Sequence, residues 1–165
     1  MTNKQVYGMI EMVGEFYRAM GDGEYIGTGS YKDKLRKKMR EDIFHEEQTE
    51  FFKAYSLENE TLKRKEQLDA VCDMFYVAAG NLLENSKSIE HAKNRWLKGG
   101  IWETTTSEKM RKRTDFDMNT VYEAFKEVHR SNMTKVCKNG TVLRREDGKI
   151  IKPDTFEEPN LDRFL

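Results

Sequence analysis

Apolar residues recur at helical spacing along most of the first 130 positions. Val6, Met9, Ile10, Val13, Phe16 and Met20 repeat every three or four residues, which predicts a helix over 4–20 with one buried face. Gly21-Asp22-Gly23 ends it, and Gly27-Thr28-Gly29-Ser30 continues the loop. A second helix is predicted from Ser30 or Tyr31 to about Tyr55, followed by a turn over 56–60. Ser56 or Asn59 can cap the third helix, which runs to Leu83 or Glu84. So short a link makes these two helices antiparallel neighbours. Ser88 to Leu97 reads as a short helix, and Asp117 can cap another over 118–130 with Val121, Tyr122, Phe125 and Val128 on one face. Residues 98–117 read as an inserted loop. Short β-prone runs flank Glu146-Asp147-Gly148 and predict a small hairpin, with an extended chain after Pro153. The expected fold is all-α: a bundle of four or five helices with a small C-terminal β-hairpin and tail. It is read as one domain over 1–165, with about 93–117 as an inserted loop region and 136–165 as hairpin and tail.

The pattern breaks in the second and third helices. At about 100° per residue, Leu35, Met39, Ile43, Phe44, Phe51 and Ala54 make one apolar arc of the second helix. Glu47 and Glu50 fall inside that arc and Glu46 sits at its edge. The third helix has Leu68, Val71, Cys72, Phe75, Ala79 and Leu82 on its apolar face, bordered by a strip of Glu66, Asp69 and Asp73. A carboxylate buried without a partner costs several kcal/mol or shifts its pKa until it is neutral. Carboxylates on facing helices also repel each other, and a bound divalent cation is the simplest remedy. With no Cys or His beside them, these are hard oxygen donors suited to Mg²⁺, Mn²⁺ or Ca²⁺. The plainer alternative is a solvated acidic face with a few helix ion pairs. It is weaker for Glu47 and Glu50, which have apolar residues on both sides.

Composition narrows the function classes. Lys plus Arg and Asp plus Glu both number 29, so there is no global pull toward DNA or anionic lipid. Hydrophobic residues make up 37% of the chain and charged ones 35%, which predicts a lean core and further apolar surface covered in an oligomer. No run of 18 apolar residues suits a membrane span, and the opening Met-Thr-Asn-Lys lacks a signal peptide's apolar core. Cys72 and Cys137 stand alone, as reduced thiols of a cytoplasmic protein do.

Glu46-Glu47-x-x-Glu50, then Glu66-x-x-Asp69, resembles the E-E-x-x-E…E-x-x-D signature of the all-α nucleoside triphosphate pyrophosphohydrolases. That superfamily includes the MazG-like, phosphoribosyl-ATP and dimeric dUTP enzymes. Three further stretches look like its phage-type branch: Asp69-Ala-x-x-Asp73-x-x-Tyr76-Val77-x-x-Gly80, Val128-His129-Arg130-Ser131-Asn132-Met133-x-Lys135, and Asp147-Gly148-Lys149-x-x-Lys152-Pro153. The likeness covers most of the chain except residues around 93–117. It implies Mg²⁺-dependent hydrolysis of a nucleoside triphosphate to monophosphate and pyrophosphate, shaping a phage deoxynucleotide pool. It makes Glu47, Glu50, Glu66 and Asp69 first choices as ligands to two or more Mg²⁺, with Mn²⁺ as a substitute, and Asp73 a further ligand. Glu46 or Glu47 is the candidate general base. Asn132 and Lys135 match the motif that holds phosphates; by position alone they would be an ordinary helix end. The active unit is expected to be a homodimer or homotetramer.

Other positions stay open at this stage. Asn81 is either a polar residue near a helix end or a substrate contact. Base contacts are expected from aromatics such as Tyr76, Trp96 or Trp102. Arg36, Lys38, Lys63 and Lys65 are solvated cations or reach phosphate. The run from Lys109 to Arg113, with the tryptophans, can be a nucleic-acid surface, a lid or an oligomer contact. A di-iron bundle needs Glu-x-x-His pairs; the nearest string is Asp42-x-x-His45, with no second one. The remaining alternatives are a non-catalytic nucleotide-sensing or partner-binding bundle and a phosphoribosyl-ATP pyrophosphohydrolase.

Overall fold

The protein is described by a computed structural model covering residues 1–29 and 32–165. Its described residues form α1 (Asn3–Ala19), α2 (Lys34–Ala54), α3 (Glu60–Glu84), α4 (Ile89–Leu97), α5 (Trp102–Arg111) and α6 (Met118–Met133). Each start follows local chemistry. Thr2 and Gln5 close a capping box on α1, and Asp33, Asn59, Ser88 and Asp117 each accept a backbone N–H of α2, α3, α4 and α6. Ser30 and Tyr31, the predicted start of the second helix, lie outside the described residues; α2 begins at Lys34.

The bundle is built around α3, which packs against each of the other five helices. From Gln67 to Glu84 nearly every side chain of α3 is buried, the mark of a central helix rather than an amphipathic one. Its Leu68, Val71, Cys72, Phe75, Ala79 and Leu82 are fully buried with Met9, Ile10 and Val13 of α1 and Val121 and Phe125 of α6. The loop after α1 closes over the end of α3. Gly27 and Gly29 donate to Leu83 O and Glu84 O at 3.0 and 2.7 Å, satisfying carbonyls that the helix leaves unpaired.

Three expectations change. Residues 98–117 are not a loop: α5 occupies 102–111, its polar Thr104, Thr106 and Ser107 buried against the bundle, which makes six helices. The C-terminal hairpin is not formed as a ladder. Only isolated antiparallel bridges join Val136 to Val142 and Arg144 to Ile150. Leu35, assigned to the apolar arc of α2, is 81% exposed. No helix among the described residues is long and apolar enough to cross a membrane.

The tail does not trail away. Leu161 is fully buried in the core. Around it, Asn160 N donates to Glu127 Oε1 (2.9 Å), Ser131 Oγ to Glu157 O (2.6 Å) and Arg130 Nη1 to Glu157 Oε2 (2.7 Å). Leu161→Ala should lower unfolding stability by about 2–5 kcal/mol, the usual result of emptying a buried leucine site. Urea unfolding measures the loss, and hydrogen exchange should show the Asn160 amide losing protection.

Candidate active site

α2 and α3 run antiparallel, so their side chains meet in a fixed order. Arg36 meets Glu84, Arg40 meets Asn81 and the Val77 carbonyl, and Glu47 faces Asp73. At 1.5 Å rise per residue, Arg36 and Glu47 are about 16 Å apart along the helix. A cavity of about 130 Å³ lies along this seam. Glu47, Asp73, Lys135 and Lys149 line one part of it and Tyr17, Arg36 and Arg40 another, with Phe16, Met39, Ile43 and Tyr76 supplying apolar wall.

The acidic end is electrostatically unresolved. Burial, then repulsion from Asp73, Glu50 and Asp69, pushes the Glu47 carboxyl up to about 9, with Lys149 opposing. Burial, then Asp73 and Glu66, raises Asp69 to about 8. Asp73 rises to about 6 by burial, held back by Lys135 and Lys152. Glu50 and Glu66 stand exposed at the rim, and their charge acts on these buried carboxyls. Glu46 is exposed and paired with Lys149, off the cavity wall.

These donors suit a hard divalent cation in kind, since all are carboxylate oxygens. Among the described residues, no three acids, histidines or cysteines are yet arranged around one point. Rotation about the long Glu and Asp side-chain bonds is needed to bring them together. Repulsion among the carboxyls is the observation that favours a cation there.

Cations face the acids from two other elements. Lys135, just past α6, has its ammonium pKa lowered by burial, while Asp73 works to keep it charged. Lys149 and Lys152 come from the tail, and Lys152 also pairs with Glu158 at 3.0 Å. Asn132 lines the cavity and is 7% exposed. Tyr76 lines it too. Its hydroxyl is 2.9 Å from His129 Nδ1, and His129 Nε2 is 3.3 Å from Glu15.

Several candidates sit elsewhere. Asn81 lies behind the wall with both amide ends engaged: Oδ1 accepts from Arg40 Nε (2.8 Å) and Nδ2 donates to Glu103 (3.0 Å). As placed it orients Arg40 rather than facing the cavity. Trp96 stacks on Phe75 in the core, and Trp102 rests exposed against Phe44 on α2. Lys38, Lys63 and Lys65 pair with Asp42, Glu60 and Asp162. In the basic run, Arg111 is held by Glu108 and the Phe116 carbonyl, and Arg113 lies over Phe52.

The inner end of the seam was not legible as a unit. Glu84, fully buried, accepts from Arg36 Nη2 (2.5 Å) and Nε (3.1 Å) and from the Tyr17 hydroxyl (2.7 Å). Its other oxygen has no hydrogen-bond partner among the described residues. The nearby arginines hold this carboxyl below its ordinary range. Arg36 is therefore a buried ion-pair partner, not a solvated cation. The one available sequence signal was Gly80: a Cβ there would overlap the Arg40 guanidinium and come within 2.6 Å of the Tyr17 hydroxyl.

A family model described as phosphoribosyl-ATP pyrophosphohydrolase matches residues 13–92. The match holds the C-terminal end of α1, all of α2 and α3 and every candidate metal ligand, but neither Asn132, Lys135 nor the tail lysines. No curated protein and no solved structure matches the chain.

The raised carboxyls fix the sign of a pH effect. Groups whose pKa is higher in the folded than in the unfolded chain bind more protons when folded. Their contribution is fully present below the ordinary carboxylate range and is lost as pH rises toward about 9. In EDTA the protein should therefore unfold at lower urea concentration at pH 8.5 than at pH 5.5. Asp73→Asn and Glu47→Gln should each flatten that slope.

Proposed function

Taking the chain as a member of the all-α nucleoside triphosphate pyrophosphohydrolase superfamily, a reading that the match over residues 13–92 supports, we propose that it hydrolyses a nucleoside or deoxynucleoside triphosphate to the monophosphate and pyrophosphate. The observation that carries this reading is the opposition across one cavity of half-buried, mutually repelling carboxyls from α2 and α3 and lysines from the end of α6 and the tail. Glu47, Glu50, Glu66, Asp69 and Asp73 hold two or more Mg²⁺, or Mn²⁺ in its place. Bound Mg²⁺ supplies screening of phosphate charge and a lowered pKa for water.

The chain's own residues do the rest. Glu47, on the cavity wall, takes the proton of the attacking water; Glu46, paired with Lys149, is less well placed for it. Lys135 and Lys149 neutralise phosphate oxygens, and Asn132 donates to them. Lys135 is desolvated, so its charge acts on phosphate with little screening. Tyr76 packs against the nucleoside. The enzyme works in the cytoplasm, that of the host if phage-encoded, on the deoxynucleotide pool. Exposed Phe52, Tyr55 and Leu62 support a homodimer or homotetramer.

The family match itself favours a second reading, in which phosphoribosyl-ATP is the substrate. A product assay separates the two. With Mg²⁺, the common NTPs and dNTPs, dUTP and phosphoribosyl-ATP are incubated with protein and resolved by chromatography. Monophosphate plus pyrophosphate from one or a few (d)NTPs is expected, with kcat/KM falling at least ~100-fold in Glu47→Gln. Turnover of phosphoribosyl-ATP alone favours the second reading. Diphosphate plus phosphate contradicts the proposed cleavage.

A further inference from the structure

The part of the cavity remote from the acids is built from hydrogen-bond donors. On α2, Arg40 lies seven positions before Glu47, about 10 Å along the helix. Both arginines there are anchored from behind. Arg36 spends Nε and Nη2 on Glu84, and Arg40 spends Nε on Asn81 and Nη2 on the Val77 carbonyl. Among the described residues, neither Arg40 Nη1 nor Arg36 Nη1 makes a hydrogen bond, and Arg36 Nη1 lies 3.6 Å from Asp22 Oδ2. Asp22, the acid on this part of the wall, already has Arg144 at 3.0 Å from its other oxygen. Arg36 Nη1 and Arg40 Nη1 are thus left to donate to a ligand in the cavity. Phe16, Met39 and Tyr76 line the same cavity and offer flat or flexible apolar surfaces that suit a planar ring better than a second phosphate.

We infer that this end is a base-reading site in which Arg36 and Arg40 select nucleobases presenting a carbonyl, the 4-oxo pyrimidines and 6-oxo purines, over those presenting an exocyclic amine. The inference rests on the proposed triphosphate reading, which sets the phosphates at the acidic end and the base at this one. A carbonyl accepts from the waiting guanidinium N–H groups. An exocyclic amine would set donor against donor. Gly80 and Asn81 are positioning residues: the one leaves room for the Arg40 guanidinium and the other holds its Nε.

Two matched pairs test it, dUTP against dCTP and dITP against dATP, since each pair exchanges a carbonyl for an exocyclic amine and the neighbouring ring N–H for a ring nitrogen acceptor. Dissociation constants of their non-hydrolysable α,β-imido forms are measured with Mg²⁺ by titration calorimetry, for the wild-type chain and for Arg40→Gln. The oxo member of each pair should bind roughly ten- to a hundredfold tighter. Arg40→Gln should bring each ratio toward one, mainly by weakening the oxo member. Equal binding within pairs, tighter binding of the amino members, or no binding of any of the four overturns the inference. So does a loss in Arg40→Gln that is equal for both members, which would make Arg40 a general anion contact. Pyrophosphate release from the hydrolysable forms is read separately. Its absence beside a clear binding preference would count against turnover and leave the base reading standing.

Discussion

Repulsion among carboxyls on two antiparallel helices is the constraint that the rest of the structure serves. Glu47 on α2 and Asp69 and Asp73 on α3 are half-buried, incompletely solvated and close enough to raise one another's pKa. A bundle tolerates such a seam only if the helices cannot move apart. The position of α3, in contact with every other helix, secures that. The tail, pinned by Leu161 and its bonds to α6, then brings Lys149 and Lys152 back to the acids. These lysines reduce the repulsion without removing it, and the carboxyl pKa values remain raised.

The same seam handles buried charge in opposite ways along its length. At the Glu84 end the protein supplies its own counter-ions, two arginines and a tyrosine hydroxyl, and the carboxyl stays ionised. At the Glu47 end acids predominate and the compensation is incomplete. A largely self-paired network with guanidinium N–H groups left over suits a rigid floor that reads a substrate by shape and hydrogen bonding. An open, like-charged one suits a site whose counter-ion arrives with the substrate. The cavity joins the two, which is the arrangement a molecule with a neutral ring and a polyanionic tail requires.

Much of this was legible in the sequence because it is written in local periodicity. The caps at Asn59 and Asp117 and the apolar face of α3 follow from residue type and spacing. So does the misplacement of Glu47 within an apolar arc. What could not be read depends on long-range pairing. Arg36 looked solvated because its partner Glu84 is 48 positions away. Asn81 looked like a substrate contact because nothing local shows Arg40 and Glu103 taking both ends of its amide. Residues 98–117 looked like a loop because Gly99-Gly100 and a run of threonines carry low helix propensity, yet burial of α5 against α3 overrides it. The tail showed β-prone composition without enough residues in register to build more than two bridges.

The central claim is that the carboxyls of α2 and α3 form a site for divalent cations. The most direct measurement is Mn²⁺ titration followed by electron paramagnetic resonance, without nucleotide, on the wild-type chain and on Asp73→Asn. Loss of free Mn²⁺ signal to at least one saturable site, weakened tenfold or more by the substitution, is the expected result. An undiminished free signal at millimolar Mn²⁺, or binding indifferent to Asp73→Asn, would contradict it.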